Sequence, residues 1–345
     1  MGAVDSPTDL DPRRATALRD GIDRRDAGDA RGRSVAGRLE QRLERLPAGH
    51  PSAPDYADRR AQADDVRPFT DGEHAEHVAD VKDRLAAAHA SGLDTRSQHT
   101  IDQAHEFWSQ DREAAHDVLL AELYERASSV PCDHKAIVAG GLPGAGKTTV
   151  LRELAGIGLS DYLVINPDEI KAAMARHGLV PEVAGLTPME ASELAHEESS
   201  HLARRLARIA QADGRNVAWD VTMSRPDSAE QRIKDLRAGG YTRIDGVFVD
   251  APIEVAISRA DARHRAGHDA YRAGNGLGGR FSSPEMIQAQ ADDRWGSVNR
   301  ANFERVKDSF DAWARYDNSA DGSPVLAATG ELRRAWKPDG TREVL

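Results

Sequence analysis

Residues 141–148 read Gly-Leu-Pro-Gly-Ala-Gly-Lys-Thr and fill every fixed position of the pattern G-x-x-x-x-G-K-[ST]. No other segment restricts the fold so tightly. Glycines let backbone amides approach phosphate oxygens that a Cβ would hold off. The amides of such a loop, with the N-terminus of the helix that follows, point at the anion. Lys147 adds a positive charge beside the β- and γ-phosphates, and the Thr148 hydroxyl is a ligand for Mg²⁺. The flanks agree, since 135–140 is a short apolar run that reads as a buried strand and 149–154 reads as helix. The expected cofactors are ATP and Mg²⁺. The expected phosphate cradle is Gly141, Leu142, Pro143, Gly144, Ala145, Gly146, Lys147, Thr148 and Thr149. A dinucleotide-binding turn is disfavoured, because the Lys-Thr pair belongs to triphosphate chemistry.

Further strands are expected at 163–166, 216–220 and 246–250, with a weaker one at 324–329. Helical patterns separate them at 191–213 and 228–238. Strands alternating with helices predict an α/β, P-loop NTPase/kinase-like fold, with a mainly parallel sheet flanked by helices and a helical N-terminal extension. Three regions are expected. Residues 1–70 read as a flexible arm with one amphipathic helix, in which Val35, Leu39, Leu43 and Leu46 recur at helical spacing before three prolines break the pattern. Residues 71–130 read as a helical extension packing on the core. One face there carries His77, Val81, Leu85 and Ala88, and a second, longer stretch runs from Ile101 through Trp108 to Leu123. Residues 131–345 read as the P-loop kinase domain.

Composition limits partners. Hydrophobic residues are 39% and charged residues 30% of the chain, so part of its length is expected to be solvated. A net charge of -11 argues against general nucleic-acid binding. The single cysteine, Cys132, excludes an intrachain disulfide framework and reads as a reduced thiol. No apolar run is long enough for a signal peptide or a membrane span, and the expected location is cytoplasmic.

Sheets of this class bind ligands at the carboxyl ends of their strands. Asp168, Asp220 and Asp250 sit at or just beyond such ends. Asp168 can be a general base on an acceptor hydroxyl, the cap of the next helix, or both. Asp220 stands where an acid holds Mg²⁺ or its waters, and Thr222 follows where a hydroxyl could touch substrate. Residues 258–280 carry Arg259, Arg263, Arg265, Arg272 and Arg280 and end in a glycine-rich stretch at 274–279. A helix with a hinge of this kind could close as a lid and bring cationic charge to a transferring phosphoryl group. Glu197 and Glu198 are candidate substrate contacts or an exposed helix face. His264 and His268 lie four apart, but with no cysteine or third histidine beside them they read as surface residues.

Taken in order, 141–149, Asn-Pro-Asp-Glu-Ile-Lys at 166–171, Asp-Val-Thr at 220–222, the Arg263 to Arg280 segment and Tyr-Asp-Asn-Ser at 316–319 resemble the zeta-toxin-like P-loop kinases. The resemblance spans about 135–329 and implies phosphorylation of the 3′-hydroxyl of UDP-N-acetylglucosamine by Mg²⁺-ATP. It implies Asp168 as base, Lys147 on the ATP phosphates, Thr222 as a sugar-nucleotide contact, and Arg263 and Arg280 stabilising the phosphoryl group in flight. It also implies an inhibitory antitoxin in trans, and the helix-plus-linker arm ahead of an otherwise complete kinase makes residues 1 to about 70 a candidate inhibitor in cis. Two positions depart from the family pattern. Gapless counting back from Gly214 puts Arg204 where a substrate-binding glutamate is expected, and Glu197 or Glu198 fits only with a shift of about two helical turns. The third strand ends in Asp220 where a glutamate is familiar. The other readings are a P-loop kinase of an antibiotic, dinucleotide or polynucleotide end, and a nucleotide-gated binding protein.

Overall fold

The computed structural model describes residues 67–154, 158–320, 322–331, 335–336 and 342–343. The helix expected within 34–46, and nearly all of the expected arm, lie outside the described residues.

The N-terminal helices begin where the chain supplies caps. The Thr70 hydroxyl and the Glu73 carboxylate close a reciprocal capping box that starts α1 (Asp71–Ala90). Asp94 caps the short α2 (Thr95–His99), and Ser109 caps α3 (Gln110–Glu125). The longer helical stretch expected from Ile101 is therefore shorter than its periodicity predicts. Ile101 is 68% exposed, and residues 100–108 form a loop closed by a bridge between Thr100 and Trp108. The Asp102 carboxylate holds that loop by accepting from the amides of Glu106 and Phe107. A side chain that satisfies local amides in this way competes with helix, and here the loop wins.

The core follows as β1 (Lys135–Gly140), α4 (Lys147–Thr149) continued by a π-helical turn at Val150–Leu154, β2 (Leu163–Ile165) and α5 (Pro167–Arg176). Next come α6 (Pro188–Ala191), α7 (His196–Ala212), β3 (Val217–Asp220), α8 (Pro226–Ala238), β4 (Arg243–Asp250) and α9 (Ile253–Arg272). The chain continues through α10 (Pro284–Gln288), β5 (Ala291–Asp292), β6 (Gly296–Ser297), α11 (Val298–Val306), β7 (Ala312–Asp317) and β8 (Val325–Glu331). Two short strands, β9 (Ala335–Trp336) and β10 (Arg342–Glu343), pair antiparallel. The main sheet runs β2-β3-β1-β4-β7-β8, parallel except for β8, which pairs antiparallel to β7. This is a mainly parallel α/β sheet of the P-loop kinase type, as the alternation of strand and helix predicts.

The strand β7 was not expected. Its sequence, Ala-Trp-Ala-Arg-Tyr-Asp, has no continuous apolar run, and five of its six residues keep partial or full exposure. The weaker strand expected at 324–329 is the antiparallel edge β8 rather than a direct neighbour of β4.

Residues 71–130 are not a layer set apart from the core. Leu119, Leu120, Tyr124, Ala127 and Val130 belong to the same buried cluster as Val138, Ile165, Val217 and Phe248 of the sheet. On the far side, Val81, Leu85 and Ala88 of α1 pack with Leu194 and Phe281. The extension also reaches back into the arm, where Phe69 stacks on His268 at 4.8 Å and Thr70 caps α1. The expected boundary at residue 70 thus falls inside a packed segment.

Candidate active site

The loop after β1 is shaped by left-handed backbone. Gly146 caps α4 at φ 88°, and a Cβ there would run into the Asn318 amide. Asn318 is 7% exposed and donates from Nδ2 to the Ala145 carbonyl at 2.8 Å, so its side chain braces the loop from beneath. Its own carbonyl accepts from Arg259 at 2.8 Å. Leu142 and Ala145 have buried side chains and can offer a phosphate only their main chain. Thr148 and Thr149 are exposed on the first helical turn. Lys147 donates from Nζ to the carbonyls of Gly141 and Leu142 at 3.0 and 3.1 Å and lies 3.6 Å from Asp220 Oδ1.

Sheet order explains that last distance. β3 is the parallel neighbour of β1, and Asp220 pairs in register with Ala139 just before the loop. Asn166 donates to the other Asp220 oxygen at 3.1 Å. Burial raises the Asp220 pKa; Lys147 opposes the rise and Asp168 adds to it. Glu169 is raised in the same way, first by burial and then by Asp220. Asp168, Glu169 and Asp220 thus lie within one another's field, a concentration of carboxylates that is a hard-oxygen environment suited to Mg²⁺.

Asp168 follows Asn166 and Pro167 into α5. The helix cap is Asn166, whose Oδ1 accepts from the Asp168 amide at 2.8 Å. Freed from capping, the Asp168 carboxylate pairs with Arg280. Arg263 belongs to the same group. Partial desolvation, then the nearby Arg280 charge, lowers its pKa, while Asp168 and Asp220 act in the opposite sense. The remaining arginines of the segment are occupied elsewhere. Arg259 holds the carbonyls of Asn318 and Ala320, Arg265 pairs with Asp71, and Arg272 lies over the Phe69 ring. The structure therefore brings together Lys147, Asp168, Asp220, Arg263 and Arg280.

Thr222 sits beside the loop. Its carbonyl accepts from the Gly141 amide at 3.4 Å and from Asn299 at 2.7 Å, and its hydroxyl lies 3.1 Å from that of Ser224. The next residue, Met223, has φ 59°, and its carbonyl accepts from buried Asn302 at 2.8 Å. Two asparagines of α11 thus set the turn that presents Thr222. Sequence reasoning passed over Asn299 and Asn302, and gave Asn166 and Asn318 no role of their own. Only the last two carried a signal, since both fall inside the motifs quoted for the family resemblance.

Four expectations need correction. Glu198 is not available to a substrate: it is fully buried, receives Arg112 on both oxygens at 2.6 and 2.9 Å, and also pairs with buried His116. Glu197 is 62% exposed, in keeping with the exposed helix-face alternative rather than a substrate contact, and lines an open cavity of about 430 Å³ with Asp94, Arg96, His105 and Glu193. That lining includes none of the five residues gathered at the loop. The glycine-rich stretch is anchored at its end rather than free as a hinge throughout, because a Cβ at Gly279 would run into the His264 carbonyl and one at Gly278 into Thr187, while Gly276 faces open space. His264 and His268 are not surface residues; they are 2% and 7% exposed. Asp250, also at a strand end, is held by Arg300 and Arg315.

The model of the zeta toxin family matches residues 122–316, more than half of the chain. The chain belongs to the zeta toxin family. The match begins inside α3 and ends in β7, so it takes in every residue of the site up to Arg280. Among curated proteins none matches. A solved structure of the AvrRxo1-ORF1:AvrRxo1-ORF2 complex with sulphate ions is similar at 17% identity and a TM-score of 0.51, covering 69% of this chain and 71% of that one. The same complex with ATP follows at 19% identity and 0.49, covering 64% and 68%. The PezAT toxin-antitoxin system of Streptococcus pneumoniae is similar at 17% and 0.44, covering 60% and 77%. At these identities likeness speaks to fold alone. Membership in the zeta toxin family, with this loop, fits a nucleotide-dependent phosphotransferase. No helix among the described residues is long and apolar enough to cross a membrane.

Proposed function

We propose that the chain transfers the γ-phosphoryl group of ATP to a hydroxyl of a small acceptor, and that the acceptor is the 3′-hydroxyl of UDP-N-acetylglucosamine. The observation that carries the reading is the Asp168–Arg280 ion pair beside Asp220 and Lys147. A base, a cation and a metal-binding acid converge in front of a phosphate loop. Zeta toxin family membership supports the acceptor.

In this mechanism the loop amides and Lys147 hold the phosphates, and Lys147 exchanges its carbonyl contacts for phosphate oxygens. Asp168 accepts the proton of the attacking hydroxyl. Arg280 swings from Asp168 to the phosphoryl oxygens when nucleotide enters, with Arg263 beside it, and both neutralise the charge that spreads there. Mg²⁺, bound with the nucleotide and held by Thr148 and Asp220, would supply further neutralisation of the β- and γ-phosphates. Thr222 contacts the acceptor.

The test is ADP release by purified protein with Mg²⁺-ATP, with and without UDP-N-acetylglucosamine. Stimulation with a phosphorylated sugar product is expected. Asp168→Asn should lower turnover by about 10²–10⁴-fold while ATP still binds. Near-normal turnover in that variant would remove Asp168 as the base. One observation favours a second acceptor: Glu198 is buried against Arg112 and His116 and is not free to hold the sugar nucleotide. If the sugar gives no stimulation, an antibiotic, dinucleotide or polynucleotide end takes its place in the same assay. ATP binding with no acceptor-dependent release would favour a nucleotide-gated binding protein.

An inhibitory partner belongs to the same proposal, either an antitoxin in trans or residues 1–66 in cis. The toxin-antitoxin nature of PezAT, a distant structural relative, prompts the first.

A further inference from the structure

Three segments far apart in sequence bring four histidines and two carboxylates into one cluster. α1 supplies His74 and His77, α6 supplies Glu190, and α9 supplies Asp261, His264 and His268. His77 Nε2 and His264 Nε2 both face Glu190 Oε1, at 2.7 and 2.8 Å. One donor atom from each of His77, Glu190 and His264 lies within 4.8 Å of the others. Their side chains are 12%, 0% and 2% exposed. The His77 and His264 rings lie nearly parallel, 7° apart, with centroids at 5.8 Å.

The carboxylate is held in place as a metal ligand would be. Glu190 Oε2 accepts from the Thr187 amide at 2.8 Å in a capping box, which leaves Oε1 aimed at the two imidazoles. His268 stands beside the set. The His268 ring lies 4.0 Å from that of His77, and its Nδ1 is buried without a hydrogen-bond partner. His74 pairs with Asp261 at 2.9 Å and flanks the cluster.

We propose that His77, Glu190 and His264 form a binding site for a first-row divalent cation, Zn²⁺ foremost, that fastens the N-terminal helix to the helix carrying Arg263. Two neutral imidazole nitrogens and one carboxylate oxygen are a donor set Zn²⁺ takes readily. The atoms that now share protons face one point. A cation there would take a lone pair from Nε2 of each imidazole in place of the contacts those atoms now make with Glu190. Burial of all three ligands makes the role structural. Its consequence is local: Arg263 precedes His264 in α9, so a cation at His264 restrains the turn that delivers Arg263 to the phosphate site. The binding site itself does not depend on the kinase reading.

The test is titration of the chelator-stripped full chain with Zn²⁺ alone, in competition with a chromophoric chelator and without nucleotide. Co²⁺ is used in parallel for its visible d–d bands. One equivalent per chain is expected, with nitrogen-oxygen Co²⁺ bands and a melting temperature raised by Zn²⁺. His264→Gln and Glu190→Gln should each weaken binding about 10-fold or more. His77→Gln, at the most exposed ligand, serves if those variants fail to fold. Asp220→Asn should bind Zn²⁺ as the native chain does. Absence of stoichiometric binding by the native chain, or binding undiminished in His77→Gln, overturns the proposal.

Discussion

Arg112→Ala is expected to cost about 3 kcal/mol of folding stability near neutral pH. Arg112 is 8% exposed and Glu198 fully buried, and the two meet through a two-pronged contact from Nε and Nη2. Burial alone would push the Glu198 carboxyl up. Hydrogen bonds from His116 and Arg112 override it and bring the pKa from 4.5 to about 2. At about 1.36 kcal/mol per pKa unit, that lowering is worth roughly 3 kcal/mol, and removing one partner of a buried pair costs about 3–5 kcal/mol by a separate route. Because the folded pKa is the lower one, the stabilisation is fully present above pH 4.5 and lost as pH falls toward 2. Urea unfolding followed by far-ultraviolet circular dichroism, at neutral pH and at points down to pH 3, measures both effects. Arg112→Ala should lower the midpoint at neutral pH and flatten the acid limb. A loss under about 1 kcal/mol would refute the reasoning, since a buried carboxylate stripped of its guanidinium cannot be that cheap. In the kinase assay, Glu198→Gln should leave the acceptor KM unchanged, because Glu198 faces α3 and not the phosphate loop.

Other outcomes are expected. Asn318→Leu leaves the Ala145 carbonyl buried without its donor, a loss of about 1–3 kcal/mol, and should weaken ATP binding through a loosened loop; calorimetric titration with ATP checks it. Lys147→Ala should weaken nucleotide binding as well as turnover, since the same ammonium serves both. Deletion of residues 1–66, which spares Phe69 and Thr70, should raise ADP release or growth inhibition if the arm inhibits in cis, and unchanged activity removes that idea.

The phosphate loop was legible because its chemistry is local. Glycines, a lysine and a threonine at set spacing dictate backbone shape and charge without help from distant residues. The strands β1, β2 and β3 were legible as short apolar runs, buried on both faces of a parallel sheet. β7 escaped because a half-exposed strand near the sheet edge carries no such run. The second helix of the extension was read too long, since periodicity through Ile101 continues across a loop that Asp102 holds by local hydrogen bonds.

The site divides along the same line. Asp168 and Asp220 could be named from strand ends, and Arg263 and Arg280 from an arginine-rich segment with the family resemblance, but their meeting depends on β3 lying beside β1 and on the segment after α9 bringing Arg280 to Asp168. The roles of Asn299, Asn302 and Asn318 are tertiary, because each acts through a carbonyl supplied by another element, whereas Asn166 caps its own helix and reaches Asp220 only through the sheet order. Glu197 and Glu198 show the limit most directly. Adjacent on one helix, they point about 100° apart, so one stays exposed and the other enters the core. Histidine spacing misled for the same reason: His264 and His268 lack a third histidine in their own helix and gain His74 and His77 only when α1 packs against α9. The amino-acid sequence alone determined the backbone shape and charge of the turn at 141–148. Only tertiary packing decided which charges face that turn, because Coulombic and hydrogen-bond partners are chosen by distance in space rather than along the chain.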